Sequence, residues 1–234
     1  IKFIMNIELK KYLSKENDLF FCRPNSSDEY VIKECYSPMY FKDYMNYNKN
    51  DIVLDVGANI GAYSTRVSKL VKYVFAYEPH QENYKLALHN LKTNKIKNVK
   101  LSNTALIGTN NSEVNLYTNK GKNRGSHTII PTRGRGTIIV KSQKFSNILK
   151  ETKANKIKMD IEGGEWDILY ENNIDWTNVD ALIMEWHHKN FNNSRVQKFN
   201  WVMKYLKQNF KFVETNLDLN KKTWYANVWC YNEK

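Results

Sequence analysis

The chain reads as an α/β fold with a mostly parallel seven-stranded sheet, helices on both faces and an antiparallel hairpin at one edge. Three observations predict it. From residue 51 onward, short apolar runs alternate with stretches of helical spacing, the rhythm of strand–helix–strand units. The first run, Ile52-Val53-Leu54-Asp55-Val56, is continuously apolar but for one acid and stops at Gly57, as a strand buried on both faces does. The last two β-runs are separated only by a short polar link, which suits an antiparallel pair.

The elements follow in order. Residues 1–50 form an N-terminal cap region, with a short strand at Leu19–Cys22 and helical spacing across 29–47. Its stripe of Tyr36, Tyr40, Tyr44 and Tyr47 is expected to pack against the main domain. Residues 51–234 form the main domain. After the first strand come a helix at 62–71, a strand at Tyr73–Tyr77, a helix from Gln81 to Leu91 and a strand at 99–101. That third strand runs out through Asn103-Thr104-Ala105. A polar, Gly- and Asn-rich excursion spans 108–136, with possible hairpin strands at 113–117 and 137–141. Then come a short helix at 146–150, a strand at 156–161, a helix from about 165 to 171 and a strand at 181–186. A helix at 195–208 and β-runs at 210–214 and 224–230 close the chain.

With 234 residues and 41% hydrophobic content, the chain can bury a sizeable core. No run has the length of a membrane span, and the N-terminus lacks the order of a signal peptide. Cys22, Cys35 and Cys230 are odd in number and widely spaced, as expected of reduced thiols in a cytoplasmic protein rather than a disulfide or zinc framework. The net charge of +12 comes mostly from Lys and reads first as a solvated surface. Arginine is more informative. Three of the six arginines, Arg124, Arg133 and Arg135, fall in the Gly-rich loop 120–136. Together with His188 they are candidate contacts to an anionic acceptor, because a guanidinium offers phosphate a planar fork. The alternative is a basic surface loop.

The stretch Asp55-Val56-Gly57-Ala58-Asn59-Ile60-Gly61 follows a buried strand and opens a helix, the context of a nucleotide-cofactor loop. A dinucleotide loop has the form G-x-G-x-x-G and sets a pyrophosphate on the helix N-terminus. Here the glycines are spaced otherwise, and Asp55 would repel a pyrophosphate. That acid suits the cationic methionine end of S-adenosylmethionine (SAM), with Gly57, Asn59 and Gly61 lining its path. Glu78 ends the second strand, where a carboxylate can accept both ribose hydroxyls. Pro79, His80, Asn103 and Ala105 are candidates to surround the adenine.

Three blocks together, Asp55–Gly61, Tyr77-Glu78-Pro79 and 157–165 (Ile-Lys-Met-Asp-Ile-Glu-Gly-Gly-Glu), resemble the hallmark blocks of FkbM-type methyltransferases. The resemblance spans about residues 50–190. It implies a class I methyltransferase fold, SAM as cofactor and a hydroxyl of a sugar, glycan or polyketide as acceptor. Asn147 stands where that family often has Asp, and the loop 120–136 is unusually rich in Arg and Gly.

Methyl transfer from a sulfonium is an in-line displacement, and an alcohol acceptor must lose its proton to a base or be acidified by a metal. Asp160 leads the candidates, followed by Glu185 and His187, since all end neighbouring strands where an open parallel sheet gathers its ligands. The structural alternative for Asp160 is a cap on the helix that starts near Gly164, and Glu162 and Glu165 suit its positive end. Asp160, Glu185 and a His could hold Mg or Mn, although nothing in the spacing requires an ion. An amino-methylating DNA enzyme would carry an N-P-P-Y-like block in place of Asp-Ile-Glu-Gly, and a cytosine C5 enzyme would need Cys after Pro. Among other classes, an RNA cap or ribose 2′-O-methyltransferase stays open, because the basic charge suits nucleic acid.

Overall fold

The computed structural model describes residues 8–119, 121, 125–171, 173–187, 195–217 and 225–232. Arg124 and His188 lie outside the described residues. The central sheet is built from β3 (Ile52–Val56), β4 (Tyr73–Tyr77), β5 (Val99–Ser102), β9 (Lys156–Met159), β10 (Ala181–His187), β11 (Phe212–Thr215) and β12 (Tyr225–Tyr231). Their order across the sheet is β11-β12-β10-β9-β3-β4-β5. β3 pairs in parallel with both β4 and β9, so it is the strand at which the winding reverses. β12 runs antiparallel to both β10 and β11. The mostly parallel seven-stranded sheet with its antiparallel edge pair is the architecture expected from the alternating pattern.

Each face of the sheet buries its own cluster. Val56, Met159, Met184 and Trp186 belong to the cluster covered by α4 (Phe145–Thr152), α5 (Glu165–Tyr170) and α6 (Arg195–Asn209). Val53, Val74, Ala181 and Ile183 face the other cluster, which includes side chains of α2 (Ala62–Ser68) and α3 (Gln81–Thr93). Phe20, Ile32, Tyr36, Tyr40 and Met45 join this second cluster, so the N-terminal segment shares the core of one sheet face. Tyr36 and Tyr40 are fully buried there, as the packing reading expects.

Three details differ from the sequence pattern. The helical spacing of 29–47 is not one helix: α1 (Asp28–Cys35) stops before Pro38, and 3-10 turns follow at Pro38–Tyr40 and Asp43–Met45. Ser37 caps the first of these turns by accepting from the Met39 N–H, which favours a new turn over a continued helix. Leu19–Cys22, labelled β2, has an antiparallel partner that the sequence did not reveal, β1 (Lys10–Leu13). The excursion forms a separate three-stranded sheet, in which β8 (Gly136–Lys144) pairs antiparallel with β7 (Glu113–Thr118) and parallel with β6 (Ala105–Ile107). No described helix is long and apolar enough to cross a membrane.

Candidate active site

A cavity of about 590 Å³ opens at the carboxyl ends of β3, β4, β9 and β10. That volume falls within the range of about 300–1,000 Å³ usual for small-molecule sites. Backbone from the strand–helix turn forms its floor. Gly57 has φ +85°, and a Cβ there would lie 1.9 Å from the Asp160 carbonyl oxygen, so no side chain fits between the ends of β3 and β9. This close approach lets a ligand rest on backbone at the switch point.

Glu78, which follows β4, lines one side of the cavity and is buried. Its carboxylate accepts from the Asn59 N–H at 2.8 Å, the His80 N–H at 2.9 Å and Asn83 Nδ2 at 3.4 Å. Burial pushes its pKa up to about 7, and the backbone donors and Lys158 pull against that rise. Asn83 in turn accepts from Arg23, which is locked to Asp28 in a buried ion pair at 2.7 Å. The N-terminal segment thereby fixes the group that holds Glu78. Asn103 steadies the same strand end by donating to the carbonyls of Glu78 and Pro79, each at 2.9 Å.

The structure distributes the sequence candidates unevenly. Gly57, Asn59, Glu78, Pro79 and Ala105 line the cavity. His80 stacks on His127, a cavity-lining residue of the excursion, with ring centroids 3.9 Å apart. Asp55 is fully buried beneath the floor. Its carboxylate accepts from Ser64 Oγ at 2.6 Å and lies 3.5 Å from Lys158 Nζ, while burial raises its pKa. It therefore braces the loop from below. Gly61 starts α2 with φ +81° and packs against Ala87.

Asp160, Glu185 and His187 come together at the opposite end of the cavity. Asp160 makes no cap to α5, whose N-terminus has no side-chain cap bond. Glu165 organises this end instead. Its fully buried carboxylate accepts from the N–H groups of Ile161 and Gly163, at 3.0 and 2.9 Å, and bonds His187 Nδ1 at 3.1 Å. Between those two N–H donors, Glu162 adopts φ +55°, a left-handed conformation uncommon for a side-chain-bearing residue. The tight loop turns the Glu162 carboxylate to within 3.6 Å of His187 Nε2. Glu185 accepts from Tyr40 O–H at 3.0 Å. Burial disfavours a charged His187, but Glu165, then Glu162 and Asp160, outweigh it and hold the pKa well above the usual imidazole value.

Sequence reasoning missed several members of the site. Lys158 is buried in β9 and donates to the Gly57 carbonyl at 2.6 Å, with Asp160 3.8 Å away. Its signal was present: a lysine inside a strand otherwise read as buried asks for a partner. Burial works against its charge, but Asp55 and Asp160 hold its pKa above the ordinary lysine value. Tyr40 packs in the core as its stripe predicts and also reaches the site through Glu185. Glu34 of α1 lines the cavity and faces Asp160, with burial and that like charge lifting its pKa to about 7. No local pattern marks Glu34, because only the docking of α1 brings it there. Of the arginines, Arg135 lines the cavity and donates to the Ser126 carbonyl, whereas Arg133 is exposed.

The sheet order, the cofactor-type loop at its switch point and the acids at the next strand ends define a class I, Rossmann-like methyltransferase. Residues 55–215 match the model of the methyltransferase FkbM domain, and the chain belongs to that family. It is a SAM-dependent methyltransferase. No curated protein matches the chain in sequence. Among solved structures it is similar to a methyltransferase FkbM from Methylobacillus flagellatus, with 16% identity, a TM-score of 0.53, and coverage of 84% of this chain and 48% of that one. A dimethyladenosine transferase from Plasmodium falciparum gives 9% identity and a TM-score of 0.51 over 88% of this chain and 62% of that one. An rRNA methylase from Streptococcus thermophilus gives 11% and 0.50 over 85% and 98%. At such identities the likeness is one of fold.

Proposed function

We propose that this enzyme transfers the methyl group of SAM to a hydroxyl of a sugar, glycan or sugar nucleotide. One observation carries the reading: the same cavity is lined by Glu78, which follows β4, and by Asp160, Glu185 and His187 from β9 and β10 on the other side of β3. Glu78 would accept the ribose hydroxyls of SAM, and the backbone at Gly57 and Asn59 would carry the methionine portion. His80 and Ala105 would flank the adenine. At the far end the acceptor hydroxyl would give its proton to Asp160, whose side chain is 27% exposed against 7% for Glu185 and 9% for His187. The O–C bond forms as the C–S bond breaks, and the sulfur keeps the electron pair.

Carboxylates from three segments, Glu34, Asp160 with Glu162, and Glu185, surround that end of the cavity. Such a lining favours a hydroxyl-rich group at the point of transfer over a phosphate. Arg135, on the excursion side, is the position suited to an anionic part of the acceptor. Mass spectrometry of co-purified ligand, then methyl transfer from labelled SAM to sugar nucleotides, glycosides and capped RNA, tests the reading. Transfer to a sugar hydroxyl supports it. Transfer confined to capped RNA and falling steeply with salt would establish the nucleic-acid alternative instead.

A further inference from the structure

We propose that Asp160, Glu185 and His187 bind a divalent metal ion, oriented through Glu165, and that this ion grips the acceptor oxygen. The proposal rests on the methyltransferase reading of the same cavity and adds a cofactor to it.

The geometry around His187 carries the argument. One ligand atom from each of Asp160, Glu185 and His187 can be chosen so that all lie within 4.8 Å of one another. Glu165, already accepting two backbone N–H groups, acts as the acceptor for His187 Nδ1, so the imidazole proton belongs on Nδ1. In the neutral ring Nε2 presents its lone pair to the cavity, and an ion there would take the place of the proton that the carboxylates otherwise hold on Nε2. A ring nitrogen tied to a buried carboxylate, with its other nitrogen free to ligate, is the usual arrangement of a metal-binding imidazole.

What Nε2 faces is unfavourable without a cation. Oxygens of Glu162, Glu185 and Asp160 stand 3.6, 3.7 and 4.0 Å away. These separations are longer than an N–H···O bond, which ends near about 3.2 Å. They fall within the roughly 3.0–4.2 Å spanned by pairs of ligands around an ion with bonds of about 2.1 Å. The Glu185 side chain is only 7% exposed and that of His187 9%. One Glu185 oxygen is bonded to Tyr40, and the other points at Nε2. Glu34 adds a fourth carboxylate near Asp160, while Lys158 is shared with the buried Asp55. The two carboxylates suit Mg or Mn, and the added imidazole favours the softer Mn of the two.

An ion here would acidify a hydroxyl that it touches. The Asp160 oxygen turned toward Lys158 would receive the released proton and pass it to solvent. The rival arrangement is a protonated His187 that neutralises the carboxylates unaided.

Mn²⁺ is the probe, followed by electron paramagnetic resonance on the full chain, with SAM affinity measured in parallel by calorimetry. We expect one Mn²⁺ per chain, lost in Glu185→Gln and in His187→Gln. Glu165→Gln, which removes only the orienting partner, should weaken Mn²⁺ by about 10–100-fold. SAM affinity should stay within about twofold in all three. Should a buried variant fail to fold, Asp160→Asn at the more exposed ligand replaces it, with the same loss expected. A wild-type chain that binds SAM but no Mn²⁺ overturns the metal and leaves the methyltransferase reading standing. Mn²⁺ binding that survives Glu185→Gln and His187→Gln overturns it as well. Failure to bind SAM would instead sink the reading beneath it.

Discussion

The two ends of the cavity treat buried charge in opposite ways. At the Glu78 end, one carboxylate is met by two backbone N–H groups and an amide within 3.4 Å, so the protein fixes its orientation and offsets part of the cost of its burial. At the Asp160 end, several carboxylates crowd a single imidazole at 3.6–4.0 Å, beyond bonding distance. A carboxylate oriented by backbone donors is a rigid recognition element that holds a ligand in one pose. A crowded one is raised in energy until a proton, a cation or a reacting group relieves it, which is how reactive sites are poised. On the proposed reading, the first end binds the cofactor and the second carries the chemistry.

The largest expected effect breaks this contrast at the reactive end. Asp160→Asn keeps shape and removes the proposed base, so turnover should fall by about 10²–10⁴-fold, the size of a general-base contribution. SAM affinity should hold, and calorimetry beside single-turnover kinetics separates the two. Unchanged turnover would remove Asp160 from the proton path.

The binding end should show the reverse split. Glu78→Ala forfeits charge-assisted hydrogen bonds worth about 1.5–3 kcal/mol, so SAM should bind about 10–150-fold more weakly. Saturating SAM should restore most of the turnover. A fall in turnover that saturation does not restore would mean that Glu78 also serves the chemistry.

A smaller effect sharpens the picture through pH. Burial raises the Glu78 pKa from 4.5 to about 7, so the folded chain without ligand holds a proton that the unfolded chain releases. This term favours the fold fully below about 4.5 and is lost as pH rises through 7. SAM hydroxyls would donate to the ionised carboxylate, so SAM affinity should rise as pH passes through 7. In Glu78→Gln that slope should flatten. A slope unchanged by the substitution would assign the titration to another group.

The smallest effect concerns the excursion. Arg135→Ala should raise the KM of an anionic acceptor about two- to fivefold, the scale of a partly exposed ion pair, and leave SAM untouched. No change with a sugar nucleotide would reduce Arg135 to its bond with the Ser126 carbonyl.

The local pattern alone predicted the sheet, and it marked the glycine loop and the strand-end acids that the fold gathers around one cavity. Burial on both faces forces apolar runs, and a backbone that must meet a ligand requires a residue such as Gly57. Each of those demands leaves its mark within a few adjacent residues. Other features depend on contacts between segments far apart in the chain. Asp55 looked poised for the cofactor, yet packing turns it toward Ser64 and Lys158. Tyr40 reaches Glu185 across 145 positions, and Glu34 meets Asp160 only because α1 docks on the sheet. Glu165 read as an acid near a helix start, but its role became visible once Ile161, Gly163 and His187 were seen to converge on it. Sequence periodicity records which face of an element is buried. Which charge opposes which depends on the distances set when the elements pack, and no periodicity encodes them.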